Sequence, residues 1–224
     1  MRTVLITGIG KGIGQALREK FLSEGWLVLG TYHTTKPAPE ANLLSFPLDL
    51  SSPPSISECV QAIQETDRKI SVLVNNAGVL IDEEETNVIV KKLRETLEVN
   101  LIGTIDFTER IIPLIEDGGH IMNISSTAGS LELATNDQAS HYPYHYPAYK
   151  ISKAALNMYT KTLSARMSNQ GIIVSSVHPG WVKTEMGGLE ADISPEEAGK
   201  YIYEFAMTRP ETGGFWFRGE KLPW

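Results

Sequence analysis

Hydrophobic positions in this chain follow two rhythms that alternate from one end to the other. Short, β-branched apolar runs read as buried strands: Thr3-Val-Leu-Ile-Thr7, Trp26-Leu-Val-Leu-Gly30, Leu43-Leu-Ser-Phe-Pro-Leu48, Ser71-Val-Leu-Val74, His120-Ile-Met-Asn-Ile124, Gly171-Ile-Ile-Val-Ser-Ser-Val177 and Gly213-Gly-Phe-Trp-Phe217. Between them lie stretches of helical period: Gln15 to Leu22, a segment opened by Ser51-Ser-Pro-Pro54, one long pattern from Val88 to Leu114, and Pro147 to Leu163. A last helix starts at Ser194-Pro-Glu-Glu197, with a capping serine, proline at the first helical position and acids in the first turn. Strands alternating with helices predict an α/β fold over residues 1–224. It is a single-domain, doubly wound parallel sheet of the Rossmann type, with about seven strands and helices on both faces.

In such a sheet, ligands collect at the C-terminal edge of the strands, so the residues that follow each strand carry the candidate chemistry. The first strand runs into Gly8-Ile-Gly-Lys-Gly-Ile-Gly14 and then a helix, a layout in which backbone N–H groups and a helix N-terminus receive a pyrophosphate. The second strand ends at Thr31-Tyr32-His33-Thr34 without the acid that would select NAD. Lys11 in the glycine turn could answer a 2′-phosphate, with His33 or Lys36 adding to it; a solvated surface lysine is the competing reading. Asp49, after the third strand, suits either an adenine amino group or a plain turn acid. The fourth strand delivers Asn75-Asn-Ala-Gly78, and small residues there let a ligand or backbone approach closely. The long pattern is interrupted by Asn100 and Gly103, and an asparagine inside an apolar helix is unfavourable unless its side chain is used. Ser125 and Ser126 follow the fifth strand.

The helix beginning at Pro147 places Tyr149 and Lys153 four residues apart on one face. An ammonium beside a phenol is expected to lower the phenol's pKa and fit it for proton transfer near neutrality. Tyr146 and Lys150 form a second pair at the same spacing. Pro147 disfavours helical geometry at Tyr146, so that side chain is expected outside the helix and not over Lys150. The polar, aromatic stretch of residues 134–146 reads as an extended loop. Its His141 and His145 lack the companions of a metal site, and no metal is expected.

Composition narrows the classes. The 224 residues are 42% hydrophobic and 21% charged, with a formal charge of −7 and no basic run. That balance argues against nucleic acid or an acidic membrane as partner. A single cysteine, Cys59, allows no internal disulfide and reads as a buried, inert thiol. Neither a signal peptide nor a membrane span is visible, and a cytoplasmic location is expected.

Taken together and in order, Thr7-Gly8-x-x-x-Gly12-x-Gly14, Asn75-Asn-Ala-Gly78, Asn100, Ser125-Ser126, Tyr149-x-x-x-Lys153 and Pro179-Gly180 resemble the short-chain dehydrogenase/reductase family. Tyr149 to Asn157, His178 to Gly188 and Leu222-Pro-Trp224 resemble its C-factor and sniffer-like carbonyl reductases. The resemblance implies an oxidoreductase that moves a hydride between NADP(H), preferred over NAD(H), and a small carbonyl or alcohol substrate. It makes Tyr149 the general acid or base, with Lys153 lowering its pKa and holding ribose hydroxyls. Ser126 would bind the substrate oxygen, and Asn100 would anchor a water in a proton relay. Cofactor contacts would come from Gly8, Lys11, Gly12, Ile13, Gly14, His33, Asp49, Leu50, Asn76, Ala77, Gly78, Tyr149, Lys153, Pro179, Gly180, Val182 and Thr184. A homodimer or homotetramer is an admissible assembly. The gap between Ser126 and Tyr149 is wider than the family usually shows, and the inserted loop is expected to border the substrate entrance. The competing function is a cofactor-binding regulatory or signalling protein on the same fold.

Overall fold

The computed structural model describes residues 1–134, 136 and 145–224. The predicted alternation is present as one sheet whose strands run β3-β2-β1-β4-β5-β6-β7-β8. The first seven are parallel neighbours: β1 (Thr3–Ile6), β2 (Leu27–Tyr32), β3 (Leu43–Pro47), β4 (Ile70–Asn75), β5 (Ile115–Ile124), β6 (Ile173–Val177) and β7 (Gly214–Phe217). An eighth, β8 (Glu220–Lys221), pairs antiparallel with β7, two residues too short to leave a period of its own in the sequence. Helices α1 (Gly12–Ser23), α2 (Pro53–Gln64), α3 (Val90–Leu97), α4 (Thr104–Ile111), α5 (Pro147–Arg166) and α6 (Pro195–Ala206) complete the fold.

Buried parallel strands are apolar on both sides, because successive side chains point to opposite faces and both faces are covered. Leu5, Leu29, Leu73, Ile121 and Val174 pack with Ile56, Ile63, Phe107 and Leu163 from α2, α4 and α5. Their neighbours along the strands, Val4, Ile6, Val28, Val72, Val74 and Met122, pack on the other face with Leu17 and Phe21 of α1 and Ile202 and Phe205 of α6. Cys59 belongs to the first cluster, and burial pushes its thiol up to about 12, the inert state expected. Ser194 caps α6 as expected, and Glu197 bonds back to its amide to close a capping box.

Two features position the site. The sheet order reverses at β1, which lies between β2 and β4, so the crevice for a ligand opens there. The long helical pattern is continuous but changes pitch at Glu98–Gly103, a π-helical turn between α3 and α4. Such a turn adds one residue to the helix and re-aims those around it. Gly103 is needed because a Cβ there would lie 1.9 Å from the Leu50 carbonyl oxygen.

Candidate active site at the C-terminal edge of the sheet

The glycine turn is braced from β4. Thr7 Oγ1 accepts hydrogen bonds from the Asn76 and Ala77 amides, both 3.0 Å, and Asn76 Nδ2 donates back to the Thr7 carbonyl at 2.9 Å. Gly8 and Gly12 adopt φ of +76° and +56°, and a Cβ on Gly14 would stand 2.0 Å from the Gly8 carbonyl oxygen. These positions therefore accept little but glycine. The turn leads into α1, whose cap residue Lys11 makes no side-chain cap bond and whose first turn carries no acid. Its leading N–H groups are thus left for an anion.

Tyr149 and Lys153 lie in α5, one helical turn apart, with the Lys153 ammonium 5.5 Å from the centre of the Tyr149 ring. Lys153 is 5% exposed and donates to the Ile124 carbonyl at 2.8 Å, which ties α5 to the end of β5. Ser126 follows β5, accepts the Ala128 amide at 3.1 Å, and hydrogen-bonds the Tyr149 side chain. Gly78 completes the floor: a Cβ there would come within 3.7 Å of Lys153 Nζ and 3.1 Å of Asn100 Oδ1. A phenol, an ammonium and a serine hydroxyl converge beside a backbone held bare of side chains. That arrangement can hold a carbonyl oxygen and pass it a proton.

Two expectations are corrected by burial and reach. The Tyr149 phenol is pushed up, not down: loss of solvent acts first, the neighbouring Tyr146 adds to it, and the Ser126 hydrogen bond opposes both. Lys153 is itself desolvated and drops to about 8. The second correction concerns the decoy pair. Tyr146 does sit outside the helix, at left-handed φ 50°, yet the Lys150 ammonium reaches back to 5.2 Å from its ring. Lysine's long stem spans what the broken helical geometry was expected to prevent.

The other predicted contacts divide. Pro179, Gly180, Val182 and Thr184 lie in the loop after β6, with Thr184 packed over Gly12, where a Cβ would meet its Cγ2 at 3.1 Å. Val182 is buried in a small cluster with Ile193 and Ala198, and the partly buried Ile13 packs against it. Leu50 is likewise buried by its side chain. Asp49 accepts from the Ser51 amide and hydroxyl at 2.8 and 2.7 Å, which holds its carboxyl below its usual value, and His33 leans on it at 3.8 Å. Lys11 pairs with Glu185 across the turn, both largely exposed. Asn100 uses both amide hydrogens, on the Val79 carbonyl at 2.9 Å and Ser152 Oγ at 3.1 Å, and accepts the Val79 amide at 2.7 Å. Its side chain is a clamp between the loop after β4 and α5. His141 and most of the loop of 134–146 fall outside the described residues.

Sequence reasoning missed the polar ladder beneath the site. Asn75 donates to Thr108 and Asn123, both 2.8 Å, and Asn123 donates to Thr160 at 2.9 Å. Ser125 donates to Asn157 at 2.6 Å. The one available signal is polar residues at strand and helix positions whose neighbours are all buried.

Residues 2–193 match the family model described as short chain dehydrogenase. The chain belongs to the short chain dehydrogenase family. It is similar to the C-signal of Myxococcus xanthus, 31% identical over 166 residues that cover 69% of this chain and 93% of the relative. The NADPH-bound carbonyl reductase from chicken fatty liver superposes with a TM-score of 0.88 at 27% identity, covering 100% of this chain and 99% of that one. The carbonyl reductase Sniffer of D. melanogaster gives a TM-score of 0.88 at 28% identity, covering 100% of both chains. Among the described residues, no helix of this short chain dehydrogenase is long and apolar enough to cross a membrane.

Proposed function

We propose that residues 1–224 act as one dinucleotide-binding and catalytic unit, a cytoplasmic NADP(H)-dependent reductase of small carbonyl compounds that also runs the reverse alcohol oxidation. The observation that carries this reading is the meeting of Tyr149, Ser126 and Lys153 beside Gly78 at the open edge of the sheet. The bare glycine turn and the uncapped start of α1 fit a pyrophosphate, and Gly78 with Lys153 fit the ribose and ring at the other end. NADPH, when bound, supplies the hydride. The NADPH-bound carbonyl reductase from chicken supports this choice, as does the absence of an acid after β2.

The protein's part is proton delivery and orientation. Ser126 Oγ donates to the carbonyl oxygen and fixes it against the Tyr149 hydroxyl. As the carbonyl carbon accepts hydride, the C=O π pair moves to oxygen and takes the Tyr149 proton, leaving alcohol and phenolate. The raised pKa of Tyr149 keeps that proton in place at neutral pH, which suits reduction. Lys153 offers positive charge to the phenolate. Asn100 serves through position, fixing Val79 beside Gly78 and Ser152 beside Lys153.

The test is steady-state NADPH oxidation against a panel of aldehydes and ketones, with cofactor affinity titrated in parallel. Tyr149→Phe should cost on the order of 10²–10⁴-fold in turnover while leaving NADPH affinity close to wild type. Tyr146→Phe should do much less. An inactive Tyr146→Phe beside an active Tyr149→Phe would overturn the assignment. The likeness to C-signal favours a second reading, a cofactor-binding signalling protein; NADPH binding without turnover on any carbonyl would select it.

A further inference from the structure

Helix α5 has no N-cap of its own. Tyr146 stands at the cap position in a left-handed conformation without a side-chain cap bond, and Pro147 brings no N–H. The first amide in need of an acceptor is that of Ala148, and it donates to Asp82 Oδ2 at 2.6 Å across 66 residues of sequence. Asp82 is 2% exposed, and its Oδ1 has no partner among the described residues. Burying a carboxylate with an unpartnered oxygen is costly, and the compensation here is the positive end of a 20-residue helix. The cost is met one residue from Tyr149.

The same segment is tied to α5 twice more. The Tyr146 amide donates to the Glu85 carbonyl at 3.0 Å, and Asn100 joins Val79 to Ser152. The first turn of α5 is therefore hung from the loop after β4, with the Asp82 carboxylate holding its leading amide. Lys153 lies a turn deeper and is held separately by the Ile124 carbonyl.

We propose that Asp82 is a positioning residue for the carbonyl chemistry: it caps α5 from outside and fixes where the Tyr149 hydroxyl stands relative to Ser126. The inference rests on the reading of Tyr149 as proton donor. Without the cap, the first turn frays and Tyr149 moves, while the cofactor contacts of Lys153 and the glycine turn persist.

Asp82→Ala should lower kcat by about 10- to 100-fold, the scale on which small misplacements act, with NADPH affinity within about twofold of wild type. Asp82→Asn, which keeps an oxygen for the Ala148 amide, should restore most of the lost kcat. A global loss of folding would move kcat and cofactor affinity together, and the asparagine rescue separates the two. An alanine variant with wild-type kcat overturns the proposal, as does an asparagine variant no better than alanine. Should the alanine variant fail to fold, Asp82→Ser is read in its place with the same outcomes. If the wild type turns over no carbonyl, the functional reading fails instead, and amide exchange then judges the anchor alone. Faster exchange of the amides of residues 148–150 in the variant, with the rest of α5 unchanged, upholds the anchor; unchanged exchange there refutes it.

Discussion

Reduction by this protein should fail on the alkaline side, and the structure sets where. Burial alone brings Lys153 from 10.5 to about 8. At pH 7 about nine in ten molecules then carry the ammonium, and at pH 9 about one in ten, since each unit past the pKa changes the ratio tenfold. The sign follows from the charge: the group is protonated below about 8 and neutral above it. Activity that needs the ammonium is complete below pH 7 and falls about tenfold per unit above pH 8. Tyr149, pushed upward, keeps its proton through this range and adds no limb of its own. The assay is kcat/KM for NADPH at saturating carbonyl across about pH 6 to 10, because that ratio reports the ionisations of the free enzyme. Lys150 is also lowered by partial burial, so Lys150→Met is the control and should leave the limb unmoved. A profile flat to about pH 9.5, or a limb abolished by Lys150→Met, refutes the assignment of charge at Lys153.

Other consequences are open to simple measurement. Burial holds His120 near 4 against 6.5, so the unfolded chain binds its proton first and stability falls as pH drops through that window. The expected loss between pH 8 and 5 is about 2 kcal/mol, and His120→Gln should flatten the slope in denaturant titrations; parallel slopes would refute it. Gly14→Ala drives a Cβ into the Gly8 carbonyl and Asn76, both fixed by hydrogen bonds. It should cost about 1–3 kcal/mol in thermal unfolding and weaken cofactor binding; an unshifted Tm would count against the tight turn. Lys11→Ala should weaken NADPH but not NADH, by no more than about fivefold given the exposure of Lys11, and equal effects on both in fluorescence titration would remove Lys11 from 2′-phosphate recognition.

The order of strands and helices, the glycine turn and the Tyr149–Lys153 pair were all legible in the sequence, because each rests on short-range facts. Side-chain period follows from backbone geometry, a glycine is marked by its missing Cβ, and residues four apart on a helix share a face wherever the helix lies. The interruption at Asn100 and Gly103 was visible too, though not its form as a π-helical turn, which depends on Gly103 meeting Leu50 from another element. The direction of the Tyr149 shift was beyond reach. Spacing reports the ammonium four residues away, but the extent to which water is excluded from both groups depends on β5, Ser126 and Gly78 closing around them. The clamp of Asn100 on Val79 and Ser152, the reach of Lys150 to Tyr146 and the cap from Asp82 to Ala148 likewise exist only once the chain is folded. Sequence determines local geometry through steric limits on each residue. Desolvation and hydrogen-bond partnership belong to the surroundings, and the tertiary structure decides them.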